Sequence, residues 1–223
     1  MQGKLIVFEG IEGCGKTTQL QRLQQWLIGR SARRVVATRE PGGTPLGQTL
    51  RQILLAPEDA SAKALDIHPV AELLLYATDR AQHVATQLVP ELQAGSIVLC
   101  DRFIDSTVAY QGFGRGLDAS MIDHLNQIAA MGLQSDLTLW LDLPVEQSLE
   151  RARQRGKIDR IEGSGLAFHR RVREGFLALS AAHPKRIVRI DASGSANQVA
   201  GTVQAAVAER LRDWLGSQPI NTK

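Results

Sequence analysis

Apolar residues in this chain fall into two alternating patterns. Short unbroken runs at Lys4 to Glu9, Arg34 to Thr38, Ser96 to Cys100, Leu137 to Leu143 and Lys185 to Ile190 have the length of strands buried on both faces. Between them the apolar positions recur every three or four residues. That spacing predicts helices over Thr17 to Ile28, Leu46 to Leu55, Pro69 to Leu92, Ala119 to Ala130, Val145 to Arg153, Ala167 to Ala181 and Asn197 to Leu215, several of which begin near an Asp, Ser or Pro. Strands alternating with helices predict an α/β fold, a five-stranded parallel sheet flanked by helices.

Composition narrows this picture without redirecting it. The 223 residues fit one domain spanning 1–223, since no repeat or Pro/Gly/Ser-rich linker divides them. Hydrophobic residues make up 43% and charged residues 22%, and no apolar run nears the roughly 18 residues that cross a bilayer. The opening MQGKLIVFEG lacks a secretory pattern, so the expected location is cytoplasmic. Cys14 and Cys100 alone cannot build a disulfide framework. The net charge of +3 suits small anionic substrates better than nucleic acid, because there is no basic tail and aromatics reach only 4%. Pro57 to Ile67 and Gly156 to Gly165 are expected to be mobile surface pieces.

The candidate chemistry starts at the end of the first strand. Gly10 to Thr17 reads GIEGCGKT and satisfies G-x-x-x-x-G-K-[ST] at every fixed position, between a strand and a helix. In that context glycines let backbone N–H groups surround phosphate oxygens at the positive end of a helix. The motif nominates Gly10, Ile11, Glu12, Gly13, Cys14, Gly15, Lys16, Thr17 and Thr18 as the site of a nucleoside triphosphate. Lys16 would reach its β and γ phosphates, and Thr17 would ligate magnesium. GTPases, ATPases and kinases all use such a cradle. No N-K-x-D guanine motif occurs, which disfavours the GTPases.

A second motif suggests a second nucleotide. The third strand ends in VLCDR, placing Asp101 and Arg102 at the carboxyl edge of the sheet, where open α/β folds bind ligands. Asp101 suits magnesium, and Arg102 stands where another anion would approach the γ-phosphate. Asp101 to Asp118, DRFIDSTVAYQGFGRGLD, resembles the D-R-x-x-x-S-x-x-A-Y-Q-G signature of thymidylate kinases. TREPGG at Thr38 to Gly43, LRQILL at Leu50 to Leu55, the helix bearing Tyr76 and Arg80, and DRIE at Asp159 to Glu162 agree with it.

The resemblance runs from about Lys4 to Ile190 and implies a P-loop kinase fold, phosphorylation of dTMP to dTDP with ATP and Mg2+, and a homodimer. It implies that thymine stacks on Tyr76, where the family more often has Phe, and that Arg80 bonds a base oxygen. Thr107 and Gln111 match further base contacts, Tyr110 matches the residue beside the 2′ carbon, and Ser106 is the serine of the signature. Arg51 and Arg102 match the arginines on the monophosphate, with Arg39 beside them. The chain resembles the bacterial type whose P-loop carries an acid, here Glu12, while the basic catalytic residues lie in a lid, here about 151–166 with Arg151, Arg153, Arg155 and Arg160. Arg155 is the first candidate for the transferring group and Arg151 the second. The remaining alternatives are a kinase for UMP or CMP, a P-loop ATPase, and a non-catalytic nucleotide-binding module.

Overall fold

The structure, a computed structural model, describes residues 3–56, 66–154, 156 and 159–215, the side chains of 211–215 excepted. Most of the predicted Pro57–Ile67 loop, together with Arg155, lies outside these residues.

Five strands, β1 (Lys4–Glu9), β2 (Val35–Arg39), β3 (Ile97–Asp101), β4 (Leu137–Asp142) and β5 (Ile187–Asp191), form one parallel sheet in the order β2-β3-β1-β4-β5. The predicted α/β fold is what the chain adopts. β1 is central, and Leu5, Ile6, Val7 and Phe8 are fully buried. Successive side chains of a strand point to opposite faces. Ile6 and Phe8 pack on α1 (Lys16–Ile28) and α9 (Ala196–Leu215) through Leu20, Leu23, Val199 and Val203. Leu5 and Val7 pack instead with Val84, Leu88 and Phe103. Truncating Phe8 to Ala would cost about 3–5 kcal/mol, because a close-packed core relaxes only partly into the cavity.

The remaining helices are α2 (Pro45–Leu54), α3 (Pro69–His83), α4 (Val89–Gln93), α5 (Ile104–Thr107), α6 (Ala119–Ala130), α7 (Val145–Gln154) and α8 (Leu166–Ala182). The helix expected from Pro69 to Leu92 does not run on as one α-helix. A π-helical segment, Val84–Leu88, separates α3 from α4. No helix was anticipated after β3, yet α5 leads into a second π segment, Val108–Gly114. Its Gly114 allows close packing: a Cβ there would stand 2.6 Å from the Phe168 ring of α8. Such π segments often occur at functional sites.

This topology sets the position of the site. The chain leaves β1 for the α1 face and leaves the adjacent β3 for the opposite face. Loops diverging from neighbouring strands open a crevice at the carboxyl edge.

Candidate active site

The P-loop follows β1 directly. Gly10, Gly13 and Gly15 adopt φ of 136, 80 and 95°, conformations that L side chains rarely adopt. A Cβ on Gly13 would also fall 2.2 Å from the Ser148 carbonyl of α7, whose own hydroxyl donates to the Glu12 carbonyl. Lys16 is buried, and its Nζ donates to the carbonyls of Gly10 and Ile11 at 3.0 Å each. Thr17 Oγ1 donates to Asp101 Oδ2 at 3.0 Å, joining the P-loop to the end of β3. A hydroxyl and a carboxylate are hard oxygen donors suited to a small divalent cation. Among the described residues no group of three or more His, Cys, Asp or Glu is placed to hold a metal, so phosphate oxygens and water would complete the shell. Ile11 and Cys14 contribute side chains to the core rather than to the crevice. Burial pushes the Cys14 thiol up, which makes it a small filler rather than a reactive thiolate.

Arg102 comes next in the chain, with φ of 72°, a strained value for a residue with a side chain. That backbone turn sends its guanidinium under the P-loop, where it donates to Gly10 O (3.0 Å), Ser106 Oγ (3.1 Å) and Tyr110 Oη (3.0 Å) and pairs with the Glu12 carboxylate. Burial opposes its charge, but Glu12, Tyr110 and Glu9 outweigh that and hold its pKa well above the ordinary range. Glu9, fully buried at the end of β1, accepts from the backbone N–H groups of Phe103 and Ser106 and from the Ser106 hydroxyl. Burial raises its carboxyl to about 7, although Arg102 and these donors pull the other way.

Arg51 donates to the Pro41 carbonyl at 3.0 Å, beside Arg39. Burial first, then the Arg39 charge, depresses the Arg51 pKa. Neither arginine has an ion pair with a carboxylate among the described residues. Two facing cations of this kind suit an incoming anion.

The far end of the crevice is built on α3. Tyr76 and Arg80 do share one helix face, as their spacing requires. Arg80 is buried and donates through Nε to Glu40 Oε2 (2.8 Å), through Nη1 to Thr107 Oγ1 and Asn126 Oδ1 (both 2.8 Å), and through Nη2 to Phe103 O (3.0 Å). Glu40 also takes His83 Nδ1 at 2.9 Å. Gln111 Nε2 donates to Glu72 Oε1 at 2.8 Å. Tyr110 packs edge-on against Phe168 and Phe176. Burial, the largest cause, raises the Tyr76 hydroxyl above its ordinary value.

Sequence reasoning missed Glu9, Glu40, Glu72, His83 and Asn126. A signal existed for two of them. Glu72, Tyr76, Asp79, Arg80 and His83 follow helical spacing on one face of α3, a polar stripe inside an otherwise apolar helix.

These parts line one cavity of about 1320 Å³, reaching from Lys16, Thr17, Thr18 and Asp101 past Arg39, Arg51 and Arg102 to Tyr76, Arg80, Thr107 and Gln111. Gly10, Ile11 and Cys14 do not line it, whereas Glu12, Gly13, Gly15, Ser106 and Tyr110 do. Arg151 borders the same cavity and donates to the Ala192 and Ser193 carbonyls after β5. Arg160 turns elsewhere, bonding Leu54 O and pairing with Glu72 at 2.6 Å.

A P-loop and a base-sized pocket at opposite ends of one crevice, with arginines between them, define the class of P-loop nucleoside monophosphate kinases. The sequence profile of the thymidylate kinase family matches residues 8–203, and the chain belongs to that family. A thymidylate kinase of Cyanothece sp. is 57% identical, covering 96% of this chain and 97% of its own. One from Trichodesmium erythraeum is 51% identical over 96% of this chain and 99% of its own. The crystal structure of thymidylate kinase from Ehrlichia chaffeensis superposes with a TM-score of 0.73 at 33% identity, covering 93% of this chain and all of that one. No helix among the described residues is long and apolar enough to cross a membrane.

Proposed function

We propose that this chain transfers the γ-phosphoryl group of ATP directly to dTMP, giving dTDP and ADP. The observation that carries this reading is the single cavity with the P-loop at one end, Tyr76, Arg80 and Gln111 at the other, and Arg39, Arg51 and Arg102 between. A hydrolase needs no second pocket of that kind.

Lys16 and the P-loop amides bind the β and γ phosphates. Thr17 and Asp101 would hold Mg2+, which would neutralise charge on the transferring group. Arg39 and Arg51 grip the dTMP phosphate and Arg102 aligns it, with Glu12 fixing the direction of Arg102. No general base is required, because the attacking phosphate oxygen is already ionised near neutral pH. Tyr76 stacks on thymine. Arg80 has five N–H donors, of which protein partners take four; the last, on Nη2, serves a base carbonyl. Thr107 and Gln111 complete the base contacts, and Tyr110 crowds the 2′ position. Arg151 and Arg155 of the lid supply charge to the transition state and exclude water. The family resemblance also supports a cytoplasmic homodimer, which sedimentation velocity would test.

A panel of nucleoside monophosphates with ATP and magnesium tests the substrate. The best acceptor should be dTMP, with dUMP weaker by roughly 10-fold or more for want of one methyl group. Equal turnover of UMP or CMP would overturn the assignment.

A further inference from the structure

Glu72 is a carboxylate with no solvent exposure, and the acceptor-binding residues proposed above do not account for it. It sits in the first turn of α3, one helical turn before Tyr76. Its Oε1 accepts from Gln111 Nε2 at 2.8 Å and Arg115 Nε at 3.3 Å, and its Oε2 faces Arg115 Nη2 at 3.1 Å and Arg160 Nη2 at 2.6 Å. Burial alone would raise this carboxyl, but the N–H donors of Arg115 and Gln111 and the charges of Arg115 and Arg160 hold it below the usual range. Glu72 is therefore ionised near neutral pH and can only accept hydrogen bonds.

That restriction assigns the neighbouring amide. Either end of a glutamine amide can usually face a given partner. Here an oxygen turned toward Glu72 would meet a carboxylate with no proton to share. The nitrogen must face Glu72, which leaves Oε1 of Gln111 on the cavity side of a buried residue that lines the pocket. No described residue donates to that oxygen. An acceptor at this place complements a pyrimidine whose N3 carries hydrogen, as in thymine and uracil. Cytosine presents a bare N3 and an amino group, and would need the opposite amide orientation.

Arg160 brings a second element to the same carboxylate. It lies in a turn ordered by Asp159, whose Oδ1 accepts from the N–H groups of Ile161 and Glu162 at 2.9 Å each, and Ile161 is buried beside it. The segment that follows the lid helix α7 is thus tied to the carboxylate that orients the base contact.

We propose that Glu72 is a positioning residue for acceptor-base specificity: it fixes the Gln111 amide with its oxygen toward the base, and through Arg160 it ties residues 159–162 to that amide. The proposal rests on the reading of this cavity as the dTMP site.

The test compares kcat/KM for dUMP and dCMP, two acceptors that differ only at positions 3 and 4 of the ring. The ratio is independent of the fraction of active enzyme. Wild type should favour dUMP strongly. Glu72→Gln has the same shape but can donate as well as accept, so the Gln111 amide becomes free to turn. The dUMP:dCMP preference should fall roughly 10- to 100-fold, the value of one or two buried hydrogen bonds made or left unmade. A folded Glu72→Gln enzyme that keeps the wild-type preference would overturn the proposal. Two further measurements do not depend on how that variant folds. In wild type, the Gln111 side-chain amide, identified in nitrogen–proton NMR spectra by its loss in Gln111→Asn, should exchange far more slowly than an exposed glutamine amide; solvent-rate exchange sinks the proposal. Arg160→Gln should raise the KM for dTMP by roughly 10-fold while leaving the dUMP:dCMP ratio alone; an unchanged KM removes the tie to residues 159–162. If wild type phosphorylates no pyrimidine monophosphate at all, the assigned function fails and this proposal with it, while the slow amide would still report the Glu72 contact.

Discussion

The two ends of the cavity are built by different means. The phosphate end is one contiguous stretch, residues 10–18, in which three glycines with positive φ aim backbone groups and a single side chain, Lys16, supplies charge. The base end draws Glu40, Glu72, Tyr76, Arg80, Thr107, Gln111 and Asn126 from segments far apart in sequence, and most of these side chains touch one another. A phosphate offers oxygens on all sides, so repeated amides suffice for it. A base must be told from other bases, which takes donors and acceptors of fixed direction, and buried carboxylates provide that fixing. The phosphate end should therefore fail through loss of turnover, and the base end through loss of affinity and selectivity.

The largest expected effect tests the phosphate end. Lys16→Ala should lower kcat by about 10³-fold or more, since charge on the transferring oxygens matters most in the transition state. Its melting temperature should stay near that of wild type, because the ammonium bonds only within the P-loop, to two carbonyls and the Cys14 sulfur. Near-normal kcat in the folded variant would break the comparison at once. Gly13→Ala should come next. Its φ of 80° and the 2.2 Å approach of a Cβ to the Ser148 carbonyl force the P-loop and α7 apart. A loss of at least about 2 kcal/mol in chemical denaturation and a kcat lowered by ~10²-fold are expected, with dTMP binding by calorimetry little changed. An alanine variant of wild-type stability would show that the α7 contact yields more readily than this packing suggests.

The same contrast explains what the sequence made legible. The five strands, to within one or two residues at their ends, and six of the seven anticipated helices came from periodicity, because each element buries one continuous face; the seventh, Pro69 to Leu92, is broken by a π segment. The cradle came from a motif whose residues are neighbours in the chain. The partners of the base pocket were not visible for the converse reason. Glu40 and Arg80 are forty residues apart, as are Glu72 and Gln111 within one, and nothing local in either segment requires the pairing. Helix α5 and its π extension were not anticipated; in the π segment Gly114 packs closely on α8 and Gly112 on Ile122 of α6. The role of Arg160 was also illegible: a charge in a glycine-bearing segment looks alike whether it faces phosphate or Glu72.

Glu40→Gln sharpens the comparison from the base end. One carboxylate takes Arg80 Nε and His83 Nδ1, and the amide can accept at only one of these. Removing the charge from a buried pair should cost about 3 kcal/mol of stability. The KM for dTMP should rise roughly 10-fold, with little change in the KM for ATP, because Arg80 loses its fixed direction. Equal increases for both nucleotides would mean that the two ends are not independent.

The smallest effect concerns Asp79, which lies on α3 between Tyr76 and Arg80 yet does not line the cavity. Its Oδ1 accepts from Gly42 N–H at 3.0 Å, while Oδ2 is buried with no hydrogen-bond partner. Burial, and then the charge of Glu40, raise its pKa from 3.8 to about 6. A raised pKa means that the folded state holds this proton more tightly than the unfolded chain does. Its contribution to stability is therefore complete below about 4 and is lost as pH climbs through about 6. Above that pH the fold carries a buried, half-satisfied charge, at a cost of at most about 3 kcal/mol for a two-unit shift. Asp79→Asn keeps an oxygen for Gly42 and removes the charge. The variant should be more stable than wild type by about 1–2 kcal/mol near pH 8, and this advantage should shrink to nothing near pH 4 in parallel denaturation curves. Its dTMP kinetics should match wild type at both pH values. A constant stability difference across the range would show that Asp79 is satisfied in both states; a raised KM for dTMP would mean that the polar stripe of α3 acts as one unit, from Glu72 through to His83.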